Sequence, residues 1–188
     1  MKSRNFEIMT HIVAGYPDID ISEKIAQTMI RAGVDYLEIQ IPFSDPVADG
    51  SVITQANYEA LAKETGVEQV FQLVKRLKKR TNIPVFLMTY YNIPFVFGLD
   101  SFCKKARSVG VEGFIIPDLP YDEELSSGYL QTCKKYGISP IFVVAPNTKD
   151  DRLQEIGTYS QKMIYCVSQS GTTGKQKDNK VDMLSYLS

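Results

Sequence analysis

Apolar, β-branched runs alternate with helix-like segments along the whole 188-residue sequence, and this alternation restricts the fold more than any other feature. The runs are IMTHIVA (8–14), YLEIQI (36–41), IPVFLMTY (83–90), EGFIIP (112–117), SPIFVVAP (139–146) and KMIYCVS (162–168). Between them, segments 21–34, 67–80, 99–111, 123–137 and 150–157 carry apolar residues at helical spacing. Four of these end in glycine, at Gly33, Gly110, Gly137 and Gly157, a common left-handed helix stop. Asp20, Asp100 and Asp122 are expected N-caps. Such repetition implies an α/β fold of parallel βαβ units, because parallel neighbours cannot be joined by a tight hairpin. No linker or low-complexity stretch interrupts it, so residues 1–188 read as a single domain.

Two parallel architectures compete, an open doubly wound sheet and a closed (β/α)8 barrel. A dinucleotide-binding sheet would carry a G-x-G-x-x-G turn after its first strand, and this sequence has AGYPD instead. Polar residues gather near the C-terminal ends of the expected strands: Glu38, Tyr90, Asp118, Asn147, Ser168 and Gln169. Barrel active sites form at that end, which favours the barrel.

Composition removes several functions. Twenty-one basic and twenty-two acidic residues nearly cancel, which argues against a nucleic-acid surface or a polybasic membrane patch. The densest basic run, KRLKKR (75–80), follows Val70, Phe71 and Val74 and reads as the solvated face of an amphipathic helix. No apolar stretch approaches the roughly 20 residues that span a bilayer, and no signal peptide is evident, so a cytoplasmic protein is expected. Cys103, Cys133 and Cys166 suit reduced thiols rather than a disulfide frame. His11 is the only histidine, which speaks against a histidine metal site or a Ser-His-Asp triad. Catalysis would then rest on carboxylates, tyrosines, hydroxyls or backbone groups.

The stretch YLEIQIPFSDPVADGS (36–51) supplies such carboxylates. Side chains alternate along a strand, so Leu37, Ile39 and Ile41 share one face while Glu38 and Gln40 share the other. In a barrel the apolar face meets the helices and Glu38 points inward. A structural glutamate bonded to backbone or water would read the same way, as would one on a solvent-facing edge. A desolvated carboxylate has a raised pKa, which suits a general acid/base near neutral pH. Asp49 follows in a loop stiffened by Pro42 and Pro46, able to hold an acid over a barrel mouth, though a plain turn residue would also fit.

The run LEIQIPFSDPVADG closely resembles the signature of the tryptophan synthase α subunit family, roughly LE-x-G-x-PFSDP-x-ADGP. AGYPD (14–18), TYYN (89–92), PDLP (117–120), APNT (145–148) and SQSGTTG (168–174) are similar to later family segments, in family order. The resemblance implies a (β/α)8 TIM barrel that cleaves indole-3-glycerol phosphate to indole and glyceraldehyde 3-phosphate. It implies Glu38 as the acid/base and Asp49 as the carboxylate that bonds the indole N–H. Tyr165, Ile115, Met88 and Val143 would line the substrate pocket, although core packing alone would place apolar residues there. Thr173 would contact the Asp49 loop on closure. Ser44, Asp45 and Pro46 would touch a β subunit in a heterotetramer of two α and two β subunits. No metal or cofactor is implied for this chain; pyridoxal phosphate belongs to the β partner.

Departures from the pattern are also visible. Gln40 stands for a usual glycine, Ser51 for a proline, Gln169 for an arginine, and His11 for an apolar pocket residue. Only about six βα units are present, and closed barrels take about 200 residues or more. The chain is therefore expected to be truncated at its C-terminus, the natural protein continuing for roughly 60 to 80 residues, two further units of the usual size. Two other readings are a non-catalytic partner that only activates a β subunit, and a different phosphate-binding barrel enzyme acting on a sugar phosphate.

Overall fold

Strand order separates the two architectures. A computed structural model describes residues 5–160 and 162–168 of the chain. Strands β1 (Met9–Val13), β2 (Tyr36–Gln40), β3 (Val85–Met88), β4 (Gly113–Ile115) and β5 (Ser139–Ile141) form one parallel sheet in the order β1-β2-β3-β4-β5. A doubly wound sheet reverses its order at a switch point, whereas a barrel adds each strand beside the last. The unbroken sequential order is that of barrel staves. Two further short strands, β6 (Val143–Val144) and β7 (Tyr165–Cys166), pair in parallel as a second sheet.

The run SPIFVVAP thus becomes two strands rather than the one expected. Its first half pairs with β4, and its second half turns to the other neighbour, with Tyr165 N–H donating to the Phe142 carbonyl at 2.8 Å. One stave shares its backbone between two partners in succession.

The helices are α1 (Ile19–Arg31), α2 (Ser51–Ala62), α3 (Val67–Lys78), α4 (Asn92–Phe97), α5 (Leu99–Val109), α6 (Tyr121–Ser126), α7 (Tyr129–Tyr136) and α8 (Asp150–Tyr159). Helices α2 and α4 were not expected from periodicity, and 123–137 is two helices broken at left-handed Gly128. Gly110 and Gly137 end α5 and α7 in the left-handed conformation as expected, but Gly157 lies inside α8. The aspartate caps also need correction. Asp18, not Asp20, caps α1, its carboxylate accepting from Ile21 N–H at 2.8 Å. Gly98 and Pro120 precede α5 and α6, leaving Asp100 and Asp122 in the first turns. There Asp100 accepts from the Tyr136 hydroxyl at 2.7 Å and Asp122 from Arg152 at 2.8 Å, so each carboxylate is tied to a neighbouring helix.

Apolar residues divide by strand face. Leu37, Ile39 and Ile41 are fully buried against Val70, Phe71, Val74 and Leu77 of α3 and their neighbours. Lys75, Arg76 and Lys78 occupy the last turn of that helix, beside the carbonyl end of its dipole, and Arg76 pairs with Glu23 at 2.6 Å. On the opposite face of the sheet, Phe86, Met88, Tyr90, Ile115 and Ile141 form a second cluster. Two of the three thiols, Cys103 and Cys133, are buried, Cys166 is exposed, and none is in a disulfide.

Candidate active site

Alternation along β2 decides where its polar residues go. With Leu37 and Ile39 committed to the helix layer, Glu38 and Gln40 project to the side of Phe86, Met88 and Ile115. Glu38 is 5% exposed, between its register neighbours His11 on β1 and Phe86 on β3. Burial lifts its carboxyl to about 7, and the negative charge of Asp49 adds to the shift. The neutral and ionised forms of this acid are therefore both accessible near pH 7.

Asp49 comes from the loop between β2 and α2, and that loop is fastened at several points. Phe43 stacks on Tyr90 with ring centroids 5.1 Å apart, and its backbone N–H donates to Asn57 Oδ1 at 3.0 Å. Ala48 N–H donates to the Tyr90 hydroxyl at 3.1 Å. The Asp49 carboxylate accepts from Gln40 Nε2 at 2.7 Å and, at a longer 3.5 Å, from Asn57 Nδ2. Burial, then the nearby charge of Asp49, raises the Tyr90 phenol above its usual range. His11 is shifted downward by burial, partly opposed by its hydrogen bond to Gln40 and by Asp49.

The residues expected to line a substrate pocket converge on the same side. Met88 and Ile115 are buried, Val143 and Tyr165 partly so, and all four belong to the cluster containing Phe86 and Tyr90. Burial raises the Tyr165 phenol, and the charges of Glu38 and Asp49 add to it, so the ring lies within the field of both acids. Thr173 and Gln169 lie outside the described residues. Ser44 and Asp45 are exposed on the Asp49 loop, while Pro46 is buried beneath them.

Tyr90 figures in the sequence only as a strand-end polar residue, yet it pins the loop. Its signal was available, since Tyr90 is two residues beyond Met88 and shares its face. Asn57 gave no such signal, because it sits on a helix that periodicity did not announce. Asp118, also at a strand end, serves structure: its carboxylate accepts the Tyr91 N–H at 2.9 and 3.2 Å at the start of α4.

A cavity of about 630 Å³ opens elsewhere, beside α6 and α8, and Asp118, Glu124 and Arg152 help to line it. Val143 reaches its wall, but Glu38 and Asp49 do not, so it is distinct from the acid pair. Among the described residues, no group of three or more His, Cys, Asp or Glu side chains could hold a metal ion. No helix among them is long and apolar enough to cross a membrane.

Known proteins share this arrangement of staves and sequence. The family described as tryptophan synthase alpha chain matches residues 1–188. The tryptophan synthase alpha chain of Syntrophotalea carbinolica is 43% identical over 178 residues, covering 95% of this chain and 70% of the relative. That of Desulforapulum autotrophicum is 38% identical over 99% of this chain and 73% of the relative. Among solved structures, tryptophan synthase subunit alpha of Legionella pneumophila superposes with a TM-score of 0.82 at 32% identity, covering 86% of this chain. A chain of the Pyrococcus furiosus tryptophan synthase complex gives 0.81 at 31% identity, covering 85% of this chain. The present chain spans 61% and 65% of the length of those two solved chains. With sequential staves, an interior glutamate and a family match along its whole length, this chain belongs to the tryptophan synthase alpha chain family.

Proposed function

We propose that the chain is the catalytic part of a lyase that splits indole-3-glycerol phosphate into indole and glyceraldehyde 3-phosphate, within one (β/α)8-type domain. The observation that carries this reading is Glu38, an interior carboxyl buried to 5% exposure whose pKa stands at about 7. Family membership supports it.

In the reaction, protonated Glu38 delivers its proton to indole C3, giving a cationic indolenine. Asp49 accepts a hydrogen bond from the ring N–H and stabilises the positive charge that develops there. The Glu38 carboxylate, now a base, takes the proton of the glycerol hydroxyl beside the ring. As the aldehyde carbonyl forms, the carbon–carbon bond breaks and its electron pair returns to the ring, releasing indole. Glu38 ends the cycle protonated, as it began. The step uses the protein's own carboxylates and calls on no metal or organic cofactor. Met88, Ile115, Val143 and Tyr165 would hold the indole, and Thr173 would meet the Asp49 loop when the site closes and excludes water.

Ser44, Asp45 and Pro46 would contact a β subunit, to which indole passes, in a cytoplasmic assembly of two α and two β subunits. Their position on the Asp49 loop links such a contact directly to the acid pair. The deciding experiment is Glu38→Gln, which keeps size and removes the titratable proton. Indole release should fall by roughly 10²- to 10⁴-fold with the fold intact. Full activity in that variant would leave only a binding role.

A further inference from the structure

Among the interior polar groups, Gln40 is one that the proton transfers do not themselves require. It is fully buried, and a buried amide is costly unless both its ends find partners. Here both do. Gln40 Nε2 lies 2.7 Å from Asp49 Oδ2, and Gln40 Oε1 lies 3.0 Å from His11 Nε2.

Donor and acceptor chemistry orders this chain completely. An ionised carboxylate can only accept, so Asp49 fixes the amide with its N–H₂ toward Oδ2. Reversing the amide would set two acceptor oxygens against each other at 2.7 Å. The amide oxygen must then face His11, and an oxygen there can only accept, so the ring carries its proton on Nε2. Asn57 Nδ2 approaches the same Oδ2 at 3.5 Å. Both amides converge on one oxygen, and neither consumes Oδ1. The arrangement also opposes a repulsion, because Glu38 and Asp49 feel each other's charge. A donor on Oδ2 offsets part of the negative charge that Asp49 presents to Glu38.

We propose that Gln40 is a positioning residue that holds the Asp49 carboxylate beside Glu38, with His11 as its anchor on the neighbouring strand. Its consequence for turnover rests on the reaction proposed above; the hydrogen-bond chain does not. His11 is the only histidine in the 188 residues, which makes its ring nitrogens a clean reporter.

The test is ¹⁵N NMR of the imidazole in the natural full-length protein, with the His11 signals assigned by their loss in His11→Gln. The unsubstituted protein should show the Nε2–H tautomer. Asp49→Asn frees the amide to turn, and Gln40→Met removes it, so each should give mixed tautomers. Gln40→Met should also lower kcat for indole release about tenfold, with KM changed less than about twofold. Should methionine at position 40 prevent folding, Asp49→Asn carries the tautomer measurement alone. An Nε2–H tautomer unchanged in both variants overturns the chain of bonds. Mixed tautomers with unaltered kcat in Gln40→Met overturn the positioning role. If the unsubstituted protein releases no indole, the proposed reaction fails, and the tautomers alone decide whether Gln40 holds Asp49.

Discussion

The Ala48 N–H donates to the Tyr90 hydroxyl at 3.1 Å, which ties the loop before Asp49 to the far end of β3. Phe43 stacks on the same ring, so one tyrosine holds both ends of the PFSDPVAD segment. Tyr90→Phe keeps the stacking and deletes the acceptor. It removes both the Ala48 bond and the hydroxyl's bond to Asp49, and should cost about 2 kcal/mol of stability, at about 1 kcal/mol for each. Indole release should fall roughly tenfold through a less well placed Asp49. Denaturant titration and an indole assay check the two effects separately.

Glu38 should make stability depend on pH in a definite direction. Its folded-state value of about 7 lies above the ordinary 4.5. Below 4.5 the carboxyl is protonated in both states and its contribution is fully present. As pH rises toward 7 the unfolded chain ionises while the folded one holds its proton, and stability is lost until the folded carboxyl also titrates. Glu38→Gln escapes this loss. The variant should therefore match the parent near pH 4 and exceed it by roughly 3 kcal/mol at pH 8. A pH-independent difference would mean that Glu38 titrates like an exposed acid.

The same protonation sets the rate profile. The cycle begins with Glu38 protonated, so kcat/KM should decline above pH 7, about tenfold per unit once the acid is mostly ionised. In Glu38→Gln the residual rate should show no such inflection.

Asp49→Asn should reduce kcat strongly, by roughly 10²-fold, and leave KM nearly unchanged. The negative charge is needed mainly as the indolenine cation forms, a transition-state interaction rather than a ground-state one. Normal kcat with weakened binding would make Asp49 a docking residue.

Asp45 is exposed on the loop that carries Asp49. Asp45→Ala should raise the β-subunit concentration needed for half-maximal activation by up to roughly fivefold, the range of an exposed charge pair. The activity of the chain without its partner should change less. Equal losses with and without β subunit would place Asp45 in the chemistry.

The barrel was legible from the missing G-x-G-x-x-G turn and the polar strand ends, and the inward glutamate from strand period. Strand alternation put Leu37 and Ile39 with the helices and left Glu38 no other direction. Helix α2 was illegible for the opposite reason. Its large apolar residues Val52 and Tyr58 are 79% and 50% exposed, while Ala56, Asn57 and Ala60 are buried, so the usual apolar stripe is inverted. The support that Asn57 gives Asp49 was hidden with it. Asp100 and Asp122 looked like caps because local sequence favours them there, but side chains on other helices compete for their oxygens. The break at Gly128 depends on a left-handed turn that the surrounding helical spacing conceals.

Sequential strand order has a consequence for how the chain emerges from a ribosome. Each strand from β2 to β5 pairs with the one made just before it, so the growing sheet never waits for a distant partner. Glu38, Gln40 and Asp49 are synthesised together and can meet His11 at once. Ile115, Val143 and Tyr165 arrive later and complete the apolar cluster around Phe86 and Met88. A nascent chain thus carries its acid pair early, and the wall facing that pair is added strand by strand.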